Sequence, residues 1–573
     1  MTDSGFVHLH VHTEHSPLDG LSSPRASVAK IAEDGQTALA ITDHGTLSGA
    51  WKFAGAARAA GVKPIIGIEA YLAVANEWTS EPDRFAPGQF EVTGDSVDTD
   101  VVDGKGPKTK FYQHITLLAA TPTGWQNLVA MSNAANDSFK RHPLMDFELM
   151  REHSDGIIAL TGCLGGPIMG PIARGSYDEA RMNLRRLIEC FGHDNVYVEI
   201  MEHGIAEESA ALPALVALAA EFALPLVATN DAHYARAEDA TAHEALLAMQ
   251  SKKTLDDPTR FHFHGAGFHL RTEAEMRALR DEEWWQTACS NTVVVAERCA
   301  DVVPAPQMRL PHFPLPDGYT NARTYLVELV RAGAIERYGD PLPDEVKARL
   351  NYELGVIADA GFIDYFLIVW DLVKSAREAG IRVGPGRGSA AGCAISYCLG
   401  IVAVDPLENN LLFERFLEPG RAGMPDIDVD FEKARRGEVL DMLMAKYGAD
   451  RVARIGSFQA KKSRGVIRGA ASVLRLGTLG DQLAKAVPIG DGGQPFSFKK
   501  LFDPSEHAAE MFRTRLAAAG EDGERIIALA RGMENAVVGE SIHACGTLIS
   551  DVPLPTLVPL RTDRSASKIA ALN

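Results

Sequence analysis

Pro425-Asp-Ile-Asp-Val-Asp-Phe431 alternates carboxylates with apolar side chains. That period belongs to a strand. Strand side chains two residues apart project to one side. The pattern therefore predicts Asp426, Asp428 and Asp430 on one face and Ile427, Val429 and Phe431 toward a core. Neighbouring carboxylates repel unless a cation lies between them. Mg²⁺ accepts such oxygen ligands and leaves positions for phosphate oxygens. A pair of ions can activate an attacking oxygen and stabilise a leaving one. A solvated edge strand has the same composition, so the acidic stretch alone leaves both readings open.

Upstream stands Gly384-Pro-Gly-Arg-Gly-Ser-Ala-Ala-Gly392, after the strand-like run 381–383 and before a helix expected over 390–399. A glycine-rich turn feeding a helix offers backbone N–H groups to an anion. Ser389 adds a hydroxyl and Arg387 a charge. The spacing is not a dinucleotide fingerprint, because Ser389 stands where a third Gly is needed, and a Walker loop would require Lys. The plain alternative is a tight turn ahead of a well-packed helix of small residues. A phosphate-gripping turn followed by Asp-x-Asp is, however, a nucleotidyl-transfer arrangement.

These stretches, together with Phe366-Leu-Ile-Val-Trp-Asp371 and Phe413-Glu-Arg-Phe-Leu417, come in the order of bacterial DNA polymerase III alpha subunits. The chain resembles that family from near its N-terminus to roughly residue 555. The resemblance implies a beta-type nucleotidyltransferase palm (α+β) followed by a helical thumb. In it, Asp426 and Asp428 are the catalytic, Mg²⁺-holding carboxylates. Arg387, Gly388, Ser389 and Arg415 are the expected nucleotide contacts. Primer–template DNA and deoxynucleoside triphosphates are the implied substrates. A sliding clamp and other replisome subunits are the implied partners.

Downstream, Lys461, Arg464 and Arg468 fall on one face at helical spacing. With Lys462 they are the expected DNA-phosphate contacts, since the family meets primer–template at this palm-to-thumb position. A short basic run read by itself is a solvated surface. Val439, Leu440, Leu443, Met444 and Tyr447 predict a helix that covers the palm sheet.

The N-terminal half holds fifteen of the 18 histidines, all at or before residue 269. It opens Phe6-Val-His-Leu-His-Val-His-Thr13, where a strand would put His8, His10 and His12 on one face. Strand-like runs at 38–44, 65–69, 113–118, 156–163 and 225–233 carry polar residues at one end, with helical stretches between them. Repeated strand–helix units predict a closed parallel barrel with its chemistry at one face. Imidazole, thiol and carboxylate groups converging there favour Zn²⁺ or Mn²⁺. The pattern resembles the PHP (polymerase and histidinol phosphatase) domain, a distorted (β/α)7-like barrel. That resemblance implies up to three ions on nine ligands: His10, His12, Asp19, His44, Glu69, His114, Cys163, Asp231 and His233. It also implies 3′→5′ exonuclease activity where the set is intact. His8 and His15 are expected to pack or hydrogen-bond, and His262, His264 and His269 to be surface or core residues.

The fold class is therefore an α/β multidomain protein. The expected domains are a metal-binding barrel at 1–285, a palm with its linker at 286–457, a thumb at 458–533 and a returning palm segment at 534–573. Residues 86–110 are polar and rich in Gly and Asp, as in a barrel insertion, and Pro-rich 303–318 is the expected linker. The strand-like 541–550 resembles the family's His-Ala-Gly segment, interrupted by Cys545. The family's Lys-x-Asp-Phe-Leu-Gly-Leu strand, with a third Asp, has no match, and Asp563 lacks its apolar frame. The tail is expected to be irregular. The chain is accordingly expected to be an N-terminal polymerase portion, truncated or completed by a downstream fragment, with little or no primer extension by itself. A stand-alone metal-dependent phosphoesterase or nuclease is the alternative, and a non-catalytic DNA-binding remnant a third.

A length of 573 residues with 46% hydrophobic content suits several buried cores. Seven scattered Cys without a CxxC pair, and no signal-type start, predict a reducing cytoplasm and no membrane association. A net charge of −19 excludes a uniformly basic nucleic-acid binder but not a local basic groove.

Overall fold

A computed structural model of the chain describes residues 5–16, 19–73, 112–137, 142–305, 310–419, 423–562 and 568–570. The insertion expected at 86–110 lies outside the described residues. The chain forms two units. One comprises Met1–Ala305, Arg454–Gly546 and Pro555–Asn573; the other comprises Pro306–Ala453 and Thr547–Leu554.

The first unit is built on strands β1 (Ala38–Ile41), β2 (Lys63–Ala73), β3 (Tyr112–Ala119), β4 (Leu144–Met145), β5 (Ile157–Leu160), β6 (Val196–Ile200) and β7 (Leu226–Ala228). They pair in the order β1-β2-β3-β5-β6-β7, with β4 beside β2. The opening segment closes the sheet: His8 bridges Leu39, and Val11 bridges Ala232 just past β7. Unlike the all-parallel barrel expected, β3 runs antiparallel to both β2 and β5. Parallel neighbours need a crossover, and no helix separates β2 from β3 among the described residues.

Leu9, Ala40, Ile65, Leu118, Leu160, Tyr197 and Val227 come from all round the sheet into one buried cluster, the barrel interior. Val295 and Cys299, at the end of helix Glu283–Arg298, join it. The outer helices bury Val28, Phe53, Leu128, Leu184 and Leu215 in a separate cluster. The period of two then decides where the polar groups go. Glu69, His114, Glu199 and Thr229 have the parity of Ile65, Leu118, Tyr197 and Val227. The strands that fill the core thus carry carboxylates and imidazoles on the same side at one end.

A second sheet, most of it in this unit, consists of β8 (Val452–Ala460), β9 (Val537–Ile549), β10 (Leu560–Thr562) and β11 (Lys568–Ala570), in the order β10-β11-β8-β9. Of the tail expected to be irregular, the described residues 561–562 and 568–570 are strand. Asn133, on helix Pro122–Asp137, anchors it: the amide donates to the Pro555 and Val558 carbonyls at 3.0 and 3.3 Å and accepts from Leu560 N at 2.6 Å. Asp563 lies outside the described residues. Helices Ser463–Val473 and Glu510–Gly532 pack on helix Ala240–Gln250 and on helix Gly477–Ala486, burying Ile467, Leu483, Phe512 and Leu246 in one cluster.

The second unit is largely helical. Helices Ala322–Tyr338, Asp344–Asp359, Ile363–Glu378 and Ala394–Cys398 bury Leu326, Ile357, Phe366 and Ile395 together with Phe413 and Phe416. Helix Arg436–Tyr447 turns Val439 onto Ala376 and Ile381, so it covers a helix rather than a sheet. The acidic stretch, expected as a strand, is extended with a single bridge, Val383 to Phe431. Gly384 N bonds Asp430 O at 2.8 Å and Glu432 N bonds Arg382 O at 3.0 Å. The ladder stops there because Pro385 has no N–H and Gly386, at φ 87°, turns the partner away. The alternation itself survives: Ile427 and Val429 pack on the core, while Asp426 and Asp430 are exposed.

Candidate functional site

The nine expected ligands of the barrel converge. His10 and His12 leave the opening segment, which bends at His10 rather than running as one strand. His8 is thereby sent elsewhere: its Nε2 lies 2.8 Å from the Arg271 carbonyl. Burial holds its imidazole down to about 4. His10 Nε2 lies 3.3 Å from both Glu69 Oε1 and Asp231 Oδ1. His12 Nε2 lies 3.2 Å from His10 Nε2 and 3.2 Å from Asp231 Oδ1. Glu69 is the hub, with His114 Nδ1 at 3.1 Å, His44 Nδ1 at 2.5 Å and Cys163 Sγ at 3.7 Å. Asp19 Oδ2 meets His44 Nε2 at 3.0 Å and His233 Nε2 at 4.0 Å. Three overlapping groups have metal-ligand spacing: His12, His44 and His233; His10, His12 and Asp231; His44, Glu69 and His114.

Electrostatics agree with a cation site. Burial alone would raise the carboxyls of Asp19 and Asp231, yet His44 and His10 respectively hold them below the usual range. Burial would likewise lower His10, but Asp231, Glu199 and Glu69 raise it well above its ordinary value. Among the described residues, Asp19 Oδ1 and His233 Nε2 are buried without a hydrogen-bond partner. Buried polar atoms are rarely left so. A donor set of imidazoles, carboxylates and one thiol suits Zn²⁺ or Mn²⁺.

Two supporting groups escaped the sequence reading. Glu199, fully buried, receives His10 Nδ1 at 2.8 Å, Gly162 N at 2.8 Å and Thr229 Oγ1 at 2.6 Å. Gly162 has φ 83°, and a Cβ there would meet the His114 carbonyl. Asp43 receives Thr13 N at 2.6 Å and Ser16 Oγ at 3.1 Å. Ser16 Oγ in turn lies 3.0 Å from His12 Nδ1. The signal in the sequence is a lone Glu within apolar Val196-Tyr-Val-Glu-Ile200, a strand outside the series of runs with polar residues at one end. His15 packs edge-on against Phe458. His262 and His264 pair ring to ring, and His269 lies 3.8 Å from Glu275.

In the second unit the glycine-rich turn and the acidic stretch touch. Arg387 Nη1 lies 2.8 Å from Asp428 Oδ2, and its Nε 3.3 Å from Asp430 Oδ1. A Cβ at Gly388, which has φ 69°, would sit 3.2 Å from Asp428 Oδ2. Ser389 and Asp426 are exposed. Tyr365 is pushed up to about 12 by burial and by Asp426 and Asp428. The helix expected over 390–399 is two pieces, a 3-10 turn Gly388–Gly392 and helix Ala394–Cys398. The first N–H groups of that helix are bonded to Glu353, which leaves any phosphate to the turn itself. Arg415 is exposed on turn Phe413–Arg415.

The basic stretch divides by role. Arg464 is half-buried, and its Nε donates to the Ala484 carbonyl at 2.8 Å. Arg468 pairs with Asp481 at 2.8 Å. Lys462 reaches Asn535 Oδ1 at 2.8 Å. Lys462 and Arg468 are exposed; Lys461, half-buried, precedes the helix.

Two family models match the chain: the PHP domain over residues 8–203 and the bacterial DNA polymerase III alpha NTPase domain over residues 324–572. It is 40% identical to DNA polymerase III subunit alpha of Mycobacterium tuberculosis over 568 residues, 97% of this chain and 47% of that protein. The Thermus aquaticus subunit is 38% identical over 98% of this chain and 49% of its own length. That of Treponema pallidum is 36% identical over 100% and 46%. The chain thus spans about half the length of these relatives.

Proposed function

Because this chain belongs to the DNA polymerase III alpha-subunit family, we propose that it carries two phosphoryl-transfer sites of a replicative DNA polymerase. One is a palm that adds deoxynucleotides to a primer 3′ end, and the other a metal-dependent 3′→5′ exonuclease in the barrel. The ion pair of Arg387 with Asp428, with Gly388 passing so near that a Cβ would meet Asp428 Oδ2, carries the palm reading. It sets a phosphate-binding turn against the carboxylates that would hold Mg²⁺.

We assign 1–285 to the barrel, whose core helix Glu283–Arg298 completes, the rest of 286–457 to the palm with its linker, 458–533 to the thumb and 534–573 to a returning palm segment. Asp426 and Asp428 are the catalytic carboxylates, and bound Mg²⁺ supplies Lewis-acid stabilisation of the reacting oxygens. Arg387, Gly388, Ser389 and Arg415 orient the triphosphate. Orientation is much of what such enzymes contribute. In the barrel, His10, His12, Asp19, His44, Glu69, His114, Cys163, Asp231 and His233 would hold up to three Zn²⁺ or Mn²⁺ ions that activate water at a DNA 3′ end. Glu199 fixes the His10 ring, and Ser16 with Asp43 fixes the His12 ring. Lys461, Lys462 and Arg468 offer positive charge to primer–template phosphates. A sliding clamp and other replisome subunits are its partners, and the cytoplasm its location. No helix among the described residues is long and apolar enough to cross a membrane.

Binding of a deoxynucleoside triphosphate with Ca²⁺, compared between the unaltered chain and Asp428→Asn, tests the palm reading. Loss of binding in the variant is expected, and equal binding refutes it.

A further inference from the structure

Glu353 and Arg349 lie one turn apart on helix Asp344–Asp359, remote in sequence from the proposed nucleotide contacts. Glu353 is fully buried, and Arg349 Nε lies 2.6 Å from its Oε1. A buried carboxylate persists only if paired and hydrogen-bonded. Glu353 meets that condition on the glycine-rich segment. Ala394 N donates to Oε1 at 3.0 Å, Ile395 N to Oε2 at 3.0 Å, and Cys393 Sγ lies 3.3 Å from Oε2. Arg349 Nη2 donates in two further directions, to Gly392 O at 2.8 Å and Leu411 O at 3.1 Å. Gly392 ends the turn that begins at Gly388, and Leu411 leads into the turn bearing Arg415. The two segments already meet closely, since a Cβ at Gly392 would lie 2.6 Å from the Leu412 carbonyl.

We propose that Arg349 and Glu353 form a positioning pair that fixes the Gly388-Ser389 turn and the Arg415 turn to one another, setting the grip on the nucleoside triphosphate. Neither residue touches the nucleotide. Glu353 holds the turn from its helical side by capping helix Ala394–Cys398, and Arg349 ties the end of that turn to the second segment. Loss of the pair leaves Asp426 and Asp428 in place but lets the two phosphate-contacting segments drift, and small misplacements cost much in phosphoryl transfer.

The inference rests on the palm reading, and the test separates them. Binding of dATP in Ca²⁺ is measured by calorimetry for the unaltered chain, Glu353→Gln, Arg349→Lys and Asp428→Asn. Hydrogen exchange is followed over 387–398, with metal content of the barrel as a control on folding. Glu353→Gln and Arg349→Lys should each bind dATP about tenfold or more weakly. Exchange over 387–398 should rise while barrel metal is retained. Arg349→Lys keeps Glu353 compensated, so it reports even if Glu353→Gln folds poorly. Loss of binding in Asp428→Asn with unaltered binding in both clamp variants overturns the positioning role alone. If the unaltered chain binds no dATP, or Asp428→Asn binds it equally, the palm reading falls and the clamp with it.

Discussion

Glu199 Oε1 lies 2.8 Å from His10 Nδ1, with neither side chain exposed to solvent. The carboxylate fixes which imidazole nitrogen faces Glu69 and Asp231. Outer carboxylates of this kind govern metal affinity nearly as strongly as the ligands they orient. Glu199→Gln should therefore lower metal affinity of the barrel by about 10- to 100-fold. Competition with a coloured chelator measures it, and Glu199→Asp tests whether charge alone suffices. Unchanged affinity in Glu199→Gln would remove Glu199 from the centre.

The basic helix should separate into binding and structural residues. Lys462→Ala and Arg468→Ala should each weaken primer–template binding and lower its salt dependence by about one unit of slope, as for one phosphate contact. Arg464→Ala instead breaks a bond to the Ala484 carbonyl and should cost about 1–2 kcal/mol of stability. Binding titrations across salt, alongside thermal melting, distinguish the two. A purely electrostatic effect of Arg464→Ala would contradict this division.

Much of the barrel was legible because its chemistry is crowded into a few strand ends. His44 and His233 stand in short polar runs just past apolar β1 and β7, while His10 and His12 alternate with Leu9 and Val11, although the bend at His10 sends His8 elsewhere. Glu199 was not legible in the same way. A single carboxylate in a buried strand has no local pattern, and only the bond to His10 reveals its use. The acidic stretch taught the reverse lesson. Its alternation predicted which side chains face the core, but not that Pro385 and Gly386 would deny it a ladder. The tail strands were missed because Leu560–Thr562 and Lys568–Ala570 are three residues each, too short to show a period. Their pairing depends on β8 and on Asn133, more than a hundred residues away.

Helices assigned to the thumb pack on helix Ala240–Gln250 of the same unit. Phe512 and Leu246 are fully buried there. Phe512→Ala should cost about 3–5 kcal/mol and Leu246→Ala about 2–5 kcal/mol. Chemical denaturation should show residues 463–530 and the barrel losing stability together in both variants. Two independent transitions, only one of them shifted, would contradict a shared core.

Thiol chemistry should report the fold at mild alkalinity. Burial pushes Cys289, Cys299 and Cys398 up to about 12. Those thiols are protonated at pH 8 and poor nucleophiles. Cys545 is exposed. Brief treatment of the native chain with iodoacetamide should label Cys545 first and leave the other three until denaturant is added. Peptide mass mapping reads the order. Early labelling of Cys289 or Cys299 would show that the barrel core is open.

The central claim, two separate phosphoryl-transfer sites in one chain, is tested most directly by digestion of a 5′-labelled single-stranded oligonucleotide with Mn²⁺ or Zn²⁺ present. The unaltered chain should shorten it from the 3′ end. His12→Ala should abolish shortening, and Asp428→Ala should leave its rate unchanged. Equal loss in both variants, or shortening that survives His12→Ala, would contradict the account.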